Sequence, residues 1–275
     1  MLKAIKQARA AFSLLSPEDI RQSAQRAVRF GLVAASPAGF EAMENFLLPS
    51  RPANGHVFRA GDPKAPADVD LVLYQQDLEN PPGTYTYDPD DQEGSVTAIL
   101  NGNDDIHLAL ARQYPVFRQQ VVDRVIHAVA RENALFAVAT ALPDIVPNLM
   151  ELPWAFGEWA SDTAFLTINQ IRMSFLVAAA CGQEVGLQHQ KGAAIAIGAG
   201  AFGWRALARE LVGKIPLGGG LIPKGAIAYA GTYVVGKGLE RYYHAGRQLT
   251  RGERNGVYRA ALERGRNVLQ GLVKT

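Results

Sequence analysis

The pattern of hydrophobic and polar positions changes character near Asn103. Before it, short apolar runs bounded by turn residues predict strands and a few helices. After it, apolar residues recur every three or four positions, which is typical of helices. We therefore expect a small α/β N-terminal domain, with four or five strands within about residues 28–102, followed by an all-α C-terminal domain.

The strands of the N-terminal part are short and alternate with turn signals. Ser16-Pro17 marks the start of a helix over about 17–28, because serine caps and proline suits a first turn, and Ser36-Pro37 forms a turn before a second helix over about 38–48. The predicted strands cover 29–35, 56–60, 69–75, 84–87 and 95–100. Residues 1–15 suit either a basic amphipathic membrane anchor or a packing helix.

Helical periodicity dominates the second half. Helices are predicted over 116–141 and from Ser161 or Asp162 to Gly182, and Thr250 with Glu253 forms a capping box for a last helix. The stretch 200–243 reads as a helix, a Pro- and Gly-rich reversal from Ile215 to Pro223, and a second helix of small apolar residues.

That hairpin is expected to form a protein core. Its second helix has only twelve uncharged residues, 225–236, or about 18 Å against a hydrocarbon thickness of about 30 Å. Tyr229 and Tyr233, one turn apart, are expected to pack beside the small residues.

Several segments carry a family resemblance: NQIRMSFLVAAACG, WRALARELVG, the Ile-Pro…Gly-Gly-Gly reversal and AIAYAGTYVVG. Together they resemble the bacterial domain of unknown function typified by the YcjF inner-membrane protein, over roughly 117–247. This resemblance implies a helical, often membrane-associated domain without established chemistry, which often follows a P-loop GTPase domain. The domains are then N-terminal helices at 1–28, a degenerate GTPase-like domain at 29–112 and a YcjF-like helical domain at 113–275.

The turn after the first strand occupies the place of a phosphate loop but lacks its chemistry. Laid on G-x-x-x-x-G-K-[ST], the sequence keeps only the second glycine. Ala34 replaces the first glycine, Gly39 is retained, and Phe40 and Glu41 stand where lysine and the magnesium-binding hydroxyl are needed. Without that lysine, and with an added carboxylate, the loop is expected to hold no nucleotide cofactor, whereas the GTPase-like shape of this domain is what the family resemblance implies.

Other motifs of enzymes and metal sites do not assemble. The five histidines include no pair at i, i+4 and no H-E-x-x-H, and no G-x-S-x-G elbow is present. The Asn101–Asp104 segment suits a common turn or a guanine-reading loop in which Gly102 replaces lysine. We therefore expect no catalytic residue and no bound metal.

Candidate structural or interaction residues surround the predicted hairpin. They combine charged, tryptophan and glycine side chains: Arg172, Trp204, Arg205, Arg209, Glu210, Lys214, Gly218, Gly219, Gly220 and Lys224. The arginines either meet Asp144, Glu158, Asp162 or Glu210 inside the fold or form a site for an anionic ligand.

Charge is distributed unevenly along the 275 residues, although the net charge is only +2. Residues 61–105 hold eleven acidic residues and one lysine, whereas 237–275 hold nine basic and three acidic residues. The basic segment suits either a solvated helical face or contact with an anionic surface. The expected partners are an anionic membrane or a protein rather than a nucleic acid.

Cysteine usage and hydropathy bear on location. Cys181 is the only cysteine, which favours a reducing compartment, and no secretory signal is visible. The longest uncharged run has thirteen residues, too few for a spanning helix. We expect a cytoplasmic location, with peripheral contact at the inner membrane left open.

Two functional hypotheses follow. The favoured one is a non-enzymatic bacterial protein in which a pseudo-GTPase-like domain is fused to a helical membrane- or partner-interaction domain. The alternative is an active nucleotide-binding GTPase-like switch, or an enzyme, with a non-standard phosphate loop.

Overall fold

The computed structural model describes residues 17–49, 55–61, 68–139, 162–198 and 221–273. These residues belong to two compact units. The α/β unit contains the described residues of 19–122 together with 179–182, and the helical unit contains 17–18 and the described residues of 123–178 and 183–275.

The α/β unit is built on a four-stranded parallel sheet. In chain order its elements are α1 Pro17–Gln25, β1 Phe30–Val33, α2 Pro37–Leu47, β2 Val57–Arg59, β3 Leu71–Gln75, β4 Tyr85–Tyr87, α3 Gln92–Asn101, a 3-10 turn Asp104–Ile106 and α4 His107–Gln113. The strand order is β2-β1-β3-β4. Phe30 pairs with Leu71 and Val33 with Tyr74, so β1 and β3 form the centre of the sheet.

The core of this unit lies on the two central strands. Phe30 and Leu32 of β1 are fully buried, as is usual for a parallel strand covered on both faces. The ring of Phe30 lies 4.9 Å from that of Tyr114, whose hydroxyl donates a 2.6 Å hydrogen bond to the Val28 carbonyl. The small sheet and its flanking helices confirm the α/β assignment of this region.

The predicted fifth strand at 95–100 is wrong, because this segment lies in helix α3. Val96, Ile99 and Leu100 are buried at i, i+3 and i+4, which is a helical stripe. Asp91 caps the helix by accepting a 2.9 Å hydrogen bond from the N–H of Gly94. The β-branched residues of this segment are typical of a buried strand, whereas the cap and the spacing of the buried residues specify a helix.

The described residues of the remainder include five helices: α5 Pro115–Ala139, α6 Asp162–Ala180, α7 Lys191–Gly198, α8 Leu221–Ala245 and α9 Arg251–Val273. The division between units falls within α5, after Val122. Among the described residues beyond 117 no strand is present, which agrees with the predicted helical part. Gly182, at φ 75°, ends α6 as predicted, and its N–H and that of Gln183 bond to the carbonyls of Ala179 and Ala178.

Helices α8 and α9 form an antiparallel pair. The predicted capping box is confirmed, since Glu253 Oε2 accepts from the Thr250 N–H at 2.8 Å and Thr250 Oγ1 from the Glu253 N–H at 3.3 Å. The predicted reversal from Ile215 to Pro223 extends too far toward the C-terminus. Helix α8 already begins at Leu221 and includes Pro223 in its first turn, where proline is tolerated. The preceding helix of the predicted hairpin lies outside the described residues.

The small residues of α8 allow close packing with protein helices. A Cβ atom on Gly236 would lie 2.7 Å from both Cγ atoms of Ile126 in α5. A Cβ atom on Gly225 would lie 2.8 Å from Val138 Cγ2. Tyr229 and Tyr233, which were expected to pack beside these small residues, also stack on each other with their ring centroids 6.1 Å apart. The second helix of the hairpin is therefore a core helix of this unit.

Within the ranges that the structure describes, no helix has both the length and the apolar character needed to cross a membrane.

Candidate functional sites: the phosphate-loop position and a polar layer

The phosphate-loop position lies between β1 and α2, in the predicted strand, short loop and helix setting. Ser36 is the N-cap of α2, and its Oγ accepts a 3.1 Å hydrogen bond from the Gly39 N–H. Pro37 follows at the first helical position and has no N–H to offer. Ser36 and Pro37 thus start α2 shortly after β1, at the carboxyl end of that strand.

Gln75 fills the space beside this loop. It is the last residue of β3, the strand next to β1, and its Oε1 accepts a 3.1 Å hydrogen bond from the Ala35 N–H. A Cβ atom placed on Gly39 would overlap the same oxygen atom. The Gln75 amide therefore lies against the first turn of α2 and occupies an N–H group that a phosphate loop would present to an anion.

This position is the topological switch point of the sheet. The chain passes from β1 to β2 on one side and then to β3 on the other, and open α/β sheets bind ligands at the carboxyl edge where the direction changes. Here Gln75 stands at that edge between β1 and β3. The sequence did not single it out, because only the pairing of β1 with β3 brings it to Ala35.

The remaining positions of the loop carry other contacts. The guanidinium of Arg59, at the end of β2, lies 5.7 Å from the centroid of the Phe40 ring. Glu41 is exposed on α2. A cation–π pair and an exposed carboxylate thus stand where a lysine and a magnesium-binding hydroxyl would be needed.

The second loop considered for nucleotide recognition is also engaged in the fold. The side-chain amide of Asn103 donates to the Tyr85 hydroxyl at 2.6 Å and to the Ile99 carbonyl at 2.7 Å. Gly102 ends α3 beside this amide. These bonds fasten the end of α3 to β4.

An open groove of about 380 Å³ lies elsewhere in this unit. Its lining includes Asn45 and Phe46 of α2, Tyr87 of β4 and Gln92 of α3, and none of its lining residues is charged. Among the described residues, no group of three or more His, Cys, Asp or Glu side chains could hold a metal ion.

A buried polar layer crosses three helices of the helical unit. Thr232 Oγ1 on α8 accepts hydrogen bonds from Asn133 Nδ2 of α5 at 2.8 Å and from Gln170 Nε2 of α6 at 3.2 Å. Asn169 Nδ2 donates to Asn133 Oδ1 at 3.0 Å. All four side chains are almost completely buried, so this layer fixes the register of α5, α6 and α8.

The edge of the layer carries the one candidate arginine that the structure describes. Arg172 lies 3.6 Å from Glu132 Oε2, which also accepts a 3.0 Å hydrogen bond from Asn169 Nδ2. Among the predicted partners, Asp144, Glu158 and Glu210 lie outside the described residues. This contact favours a structural role for Arg172.

A second cluster joins α5, α8 and α9 through His127. Its Nδ1 lies 2.5 Å from the Tyr229 hydroxyl, and its Nε2 lies 3.0 Å from an Arg264 guanidinium nitrogen. Because arginine can only donate, Nε2 must accept, and Nδ1–H donates to the Tyr229 oxygen. The imidazole is therefore neutral in this arrangement.

The electrostatics of the cluster agree with a neutral imidazole. Burial first, and then the charge of Arg264, lower the pKa of His127 below 6.5, with Lys237 acting the same way and Asp123 opposing. Burial also raises the pKa of Tyr229 to about 12. Tyr229 is 1% exposed, and through it the cluster connects α5, α8 and α9 inside the helical unit.

Most of the other predicted interaction residues lie outside the described ranges. These are Trp204, Arg205, Arg209, Glu210, Lys214, Gly218, Gly219 and Gly220. Lys224 is exposed in the first turn of α8. Asn133, His127 and Gln170 were not predicted, although polar residues within the apolar faces of helices were a visible signal for them.

Comparison of the chain with protein-family models, with curated proteins and with solved structures found no match. The resemblance to the YcjF-like domain therefore stays a prediction.

Proposed function

We propose that this chain is a non-enzymatic bacterial protein, in which a pseudo-GTPase-like unit is joined to a YcjF-like helical unit. The helical unit contacts a membrane surface or a protein partner, in the cytoplasm or at the inner membrane. The α/β unit serves as a scaffold and binds no nucleotide.

The position of Gln75 carries this proposal. Its amide occupies the Ala35 N–H and lies against Gly39, where the phosphates of a nucleotide would have to approach the loop. Phe40 and Glu41 supply neither a cation for the phosphates nor a hydroxyl for magnesium. A nucleotide would therefore have to displace Gln75 and would gain little in return.

Titration of the protein with fluorescent GTP and ATP in the presence of magnesium tests the proposal. We expect affinities no tighter than about millimolar, or about −4 kcal/mol of binding free energy. The variant Gln75→Ala removes the occluding amide, and Gln76→Ala is the matched control on the next residue.

Two results would favour the alternative of an active nucleotide switch. One is micromolar binding by the wild-type protein. The other is binding that improves strongly in Gln75→Ala but not in Gln76→Ala, because movement of the Gln75 side chain could then regulate a working nucleotide site. Binding that stays weak in all three proteins supports the proposal.

A further inference from the structure

The turn between α8 and α9 gathers positive charge. Arg247 lies in this turn, Arg241 and His244 lie near the end of α8, and Arg251 and Arg254 lie in the first turn of α9; we call these five residues the arginine corner. The segment 241–254 holds four arginines and a single acid, Glu253. Its net charge is therefore +3 when His244 is neutral.

Glu253 organises the corner without neutralising it. Its Oε1 lies 2.9 Å from an Arg241 nitrogen and 3.3 Å from an Arg247 nitrogen. The Thr250 backbone N–H first, and then these two arginines, hold the pKa of Glu253 well below its usual value, so it stays ionised. One negative charge thus holds two guanidinium groups, whose side chains remain 39% and 49% exposed.

The helix dipole adds to the same positive potential. The N-terminus of a helix carries a partial positive charge and normally favours acidic residues in its first turn. In α9 the first turn instead includes Arg251 and Arg254 beside Glu253. This arrangement disfavours the isolated fold, whereas a bound anionic surface would stabilise it.

An exposed aromatic ring borders the corner. Tyr242 is 52% exposed, although it is a large hydrophobic residue on the same turn of α8 as Arg241. Tyrosine beside basic residues is typical of surfaces that lie at the headgroup level of a bilayer.

We propose that the arginine corner, with Tyr242 at its edge, docks on the headgroups of an anionic lipid bilayer. This inference rests on the proposed function, because it names the membrane as the partner of the helical unit. A nucleic acid fits less well, since single strands are bound along grooves with several stacked aromatic side chains. The corner is a helix–helix turn with one exposed ring.

Vesicle sedimentation tests the proposal with the full chain. We expect binding to phosphatidylcholine vesicles that contain phosphatidylglycerol, and no binding to phosphatidylcholine alone. Each basic residue near such a surface contributes a similar share of the binding free energy. The double variant Arg247→Gln with Arg251→Gln should therefore partition to the vesicles about 30-fold more weakly. High salt should also weaken the binding of the wild-type protein to anionic vesicles, because it screens exposed charges.

The matched control removes the same charge from other helices of the unit. Arg131 of α5 and Lys191 of α7 are exposed, and Arg131→Gln with Lys191→Gln should partition as the wild type does. Equal weakening by both double variants would mean attraction by net charge alone and would overturn the proposal. Circular dichroism of each variant checks that it is folded.

Two further measurements separate other anion sources. Failure of the wild-type protein to bind anionic vesicles at low salt overturns the proposal whatever the variants do. Tight binding of a single-stranded oligonucleotide that depends on Arg247 and Arg251, without vesicle binding, would assign the corner to nucleic acid. Displacement from vesicles by millimolar glycerol phosphate would assign it to a free phosphate ligand. None of these outcomes depends on nucleotide affinity, so failure here is distinct from failure of the proposed function.

Discussion

In each unit, one polar side chain links elements that are distant in the sequence. In the α/β unit, Gln75 reaches from β3 to the loop after β1 and accepts a hydrogen bond from the Ala35 N–H. In the helical unit, His127 accepts from Arg264 and donates to Tyr229, so one neutral imidazole links three helices. Both arrangements depend on donors and acceptors matched across elements that are far apart in the chain.

The His127 cluster predicts a pH-dependent stability. The folded state lowers the pKa of His127 by burial and by the Arg264 charge, whereas the unfolded chain takes up a proton near pH 6.5. The contribution of this group is therefore complete above pH 6.5 and is lost as the pH falls from there through the lowered folded-state value. Denaturant unfolding from about pH 8 to about pH 5 measures it.

The variant His127→Gln is the control for this prediction. It keeps a polar side chain at the position but cannot titrate. The free energy of unfolding of the variant should fall less steeply below pH 6.5 than that of the wild type. Identical slopes in the two proteins would show that other groups cause the pH dependence.

The buried polar layer predicts a large cost for a small deletion. Asn133→Ala removes the donor to Thr232 and the acceptor of Asn169, and it leaves both buried groups short of a partner. We expect a loss of about 1–3 kcal/mol in the free energy of unfolding. Asn267→Ala, on the exposed face of α9, should change it by less than about 0.5 kcal/mol. Equal effects of the two substitutions would contradict the layer's proposed role.

At the scale of elements, α8 is specified by the small residues on its surface. Gly236 lies so close to Ile126 that a Cβ atom would have to displace the branch point of that side chain. On α9, Gly256 faces open space. The two glycines therefore serve different purposes, although both are inside helices.

The same substitution at these two glycines should have opposite effects. Gly236→Ala overpacks the contact with α5 and should destabilise the protein by about 1–3 kcal/mol. Gly256→Ala gains helix propensity without a clash and should stabilise it by up to about 1 kcal/mol. Thermal unfolding of both variants is the measurement, and stabilisation by Gly236→Ala would refute the close packing of α8 on α5.

Elements with local signals were predicted well from the sequence. Ser36 with Pro37 and Thr250 with Glu253 encode helix starts within four residues, and the structure has both. The segment 95–100 was misassigned because its β-branched residues outweighed the helical spacing of Val96, Ile99 and Leu100. Local sequence signals therefore predicted where helices begin better than they predicted whether a short apolar run is a strand or a helix.

Contacts between distant residues could not be predicted in this way. Ala35 and Gln75 are 40 positions apart, and Asn133 and Thr232 are 99 apart. Each pair requires knowledge of which strands or helices are neighbours, and a single sequence does not contain it. The departure of Phe40 and Glu41 from the phosphate-loop pattern was visible in the sequence, but the contact of Gln75 with this loop was not.

At the scale of the whole molecule, the protein combines two units of different chemistry. The acidic stretch 61–105 falls in the α/β unit, and the basic stretch 237–275 includes the C-terminal end of α8 and all of α9 in the helical unit. The α/β unit has a small parallel sheet with Gln75 at its switch point, and the helical unit presents the arginine corner. We infer a scaffold joined to a contact surface.

The central claim, that the loop between β1 and α2 binds no nucleotide, is tested most directly by NMR. Backbone amide resonances of Ala35 and Gly39 report on the two N–H groups that the side chains of Gln75 and Ser36 occupy. On addition of magnesium and GTP up to millimolar concentration, we predict that neither resonance shifts in a saturable way. Saturable shifts of both resonances at micromolar nucleotide would contradict the claim.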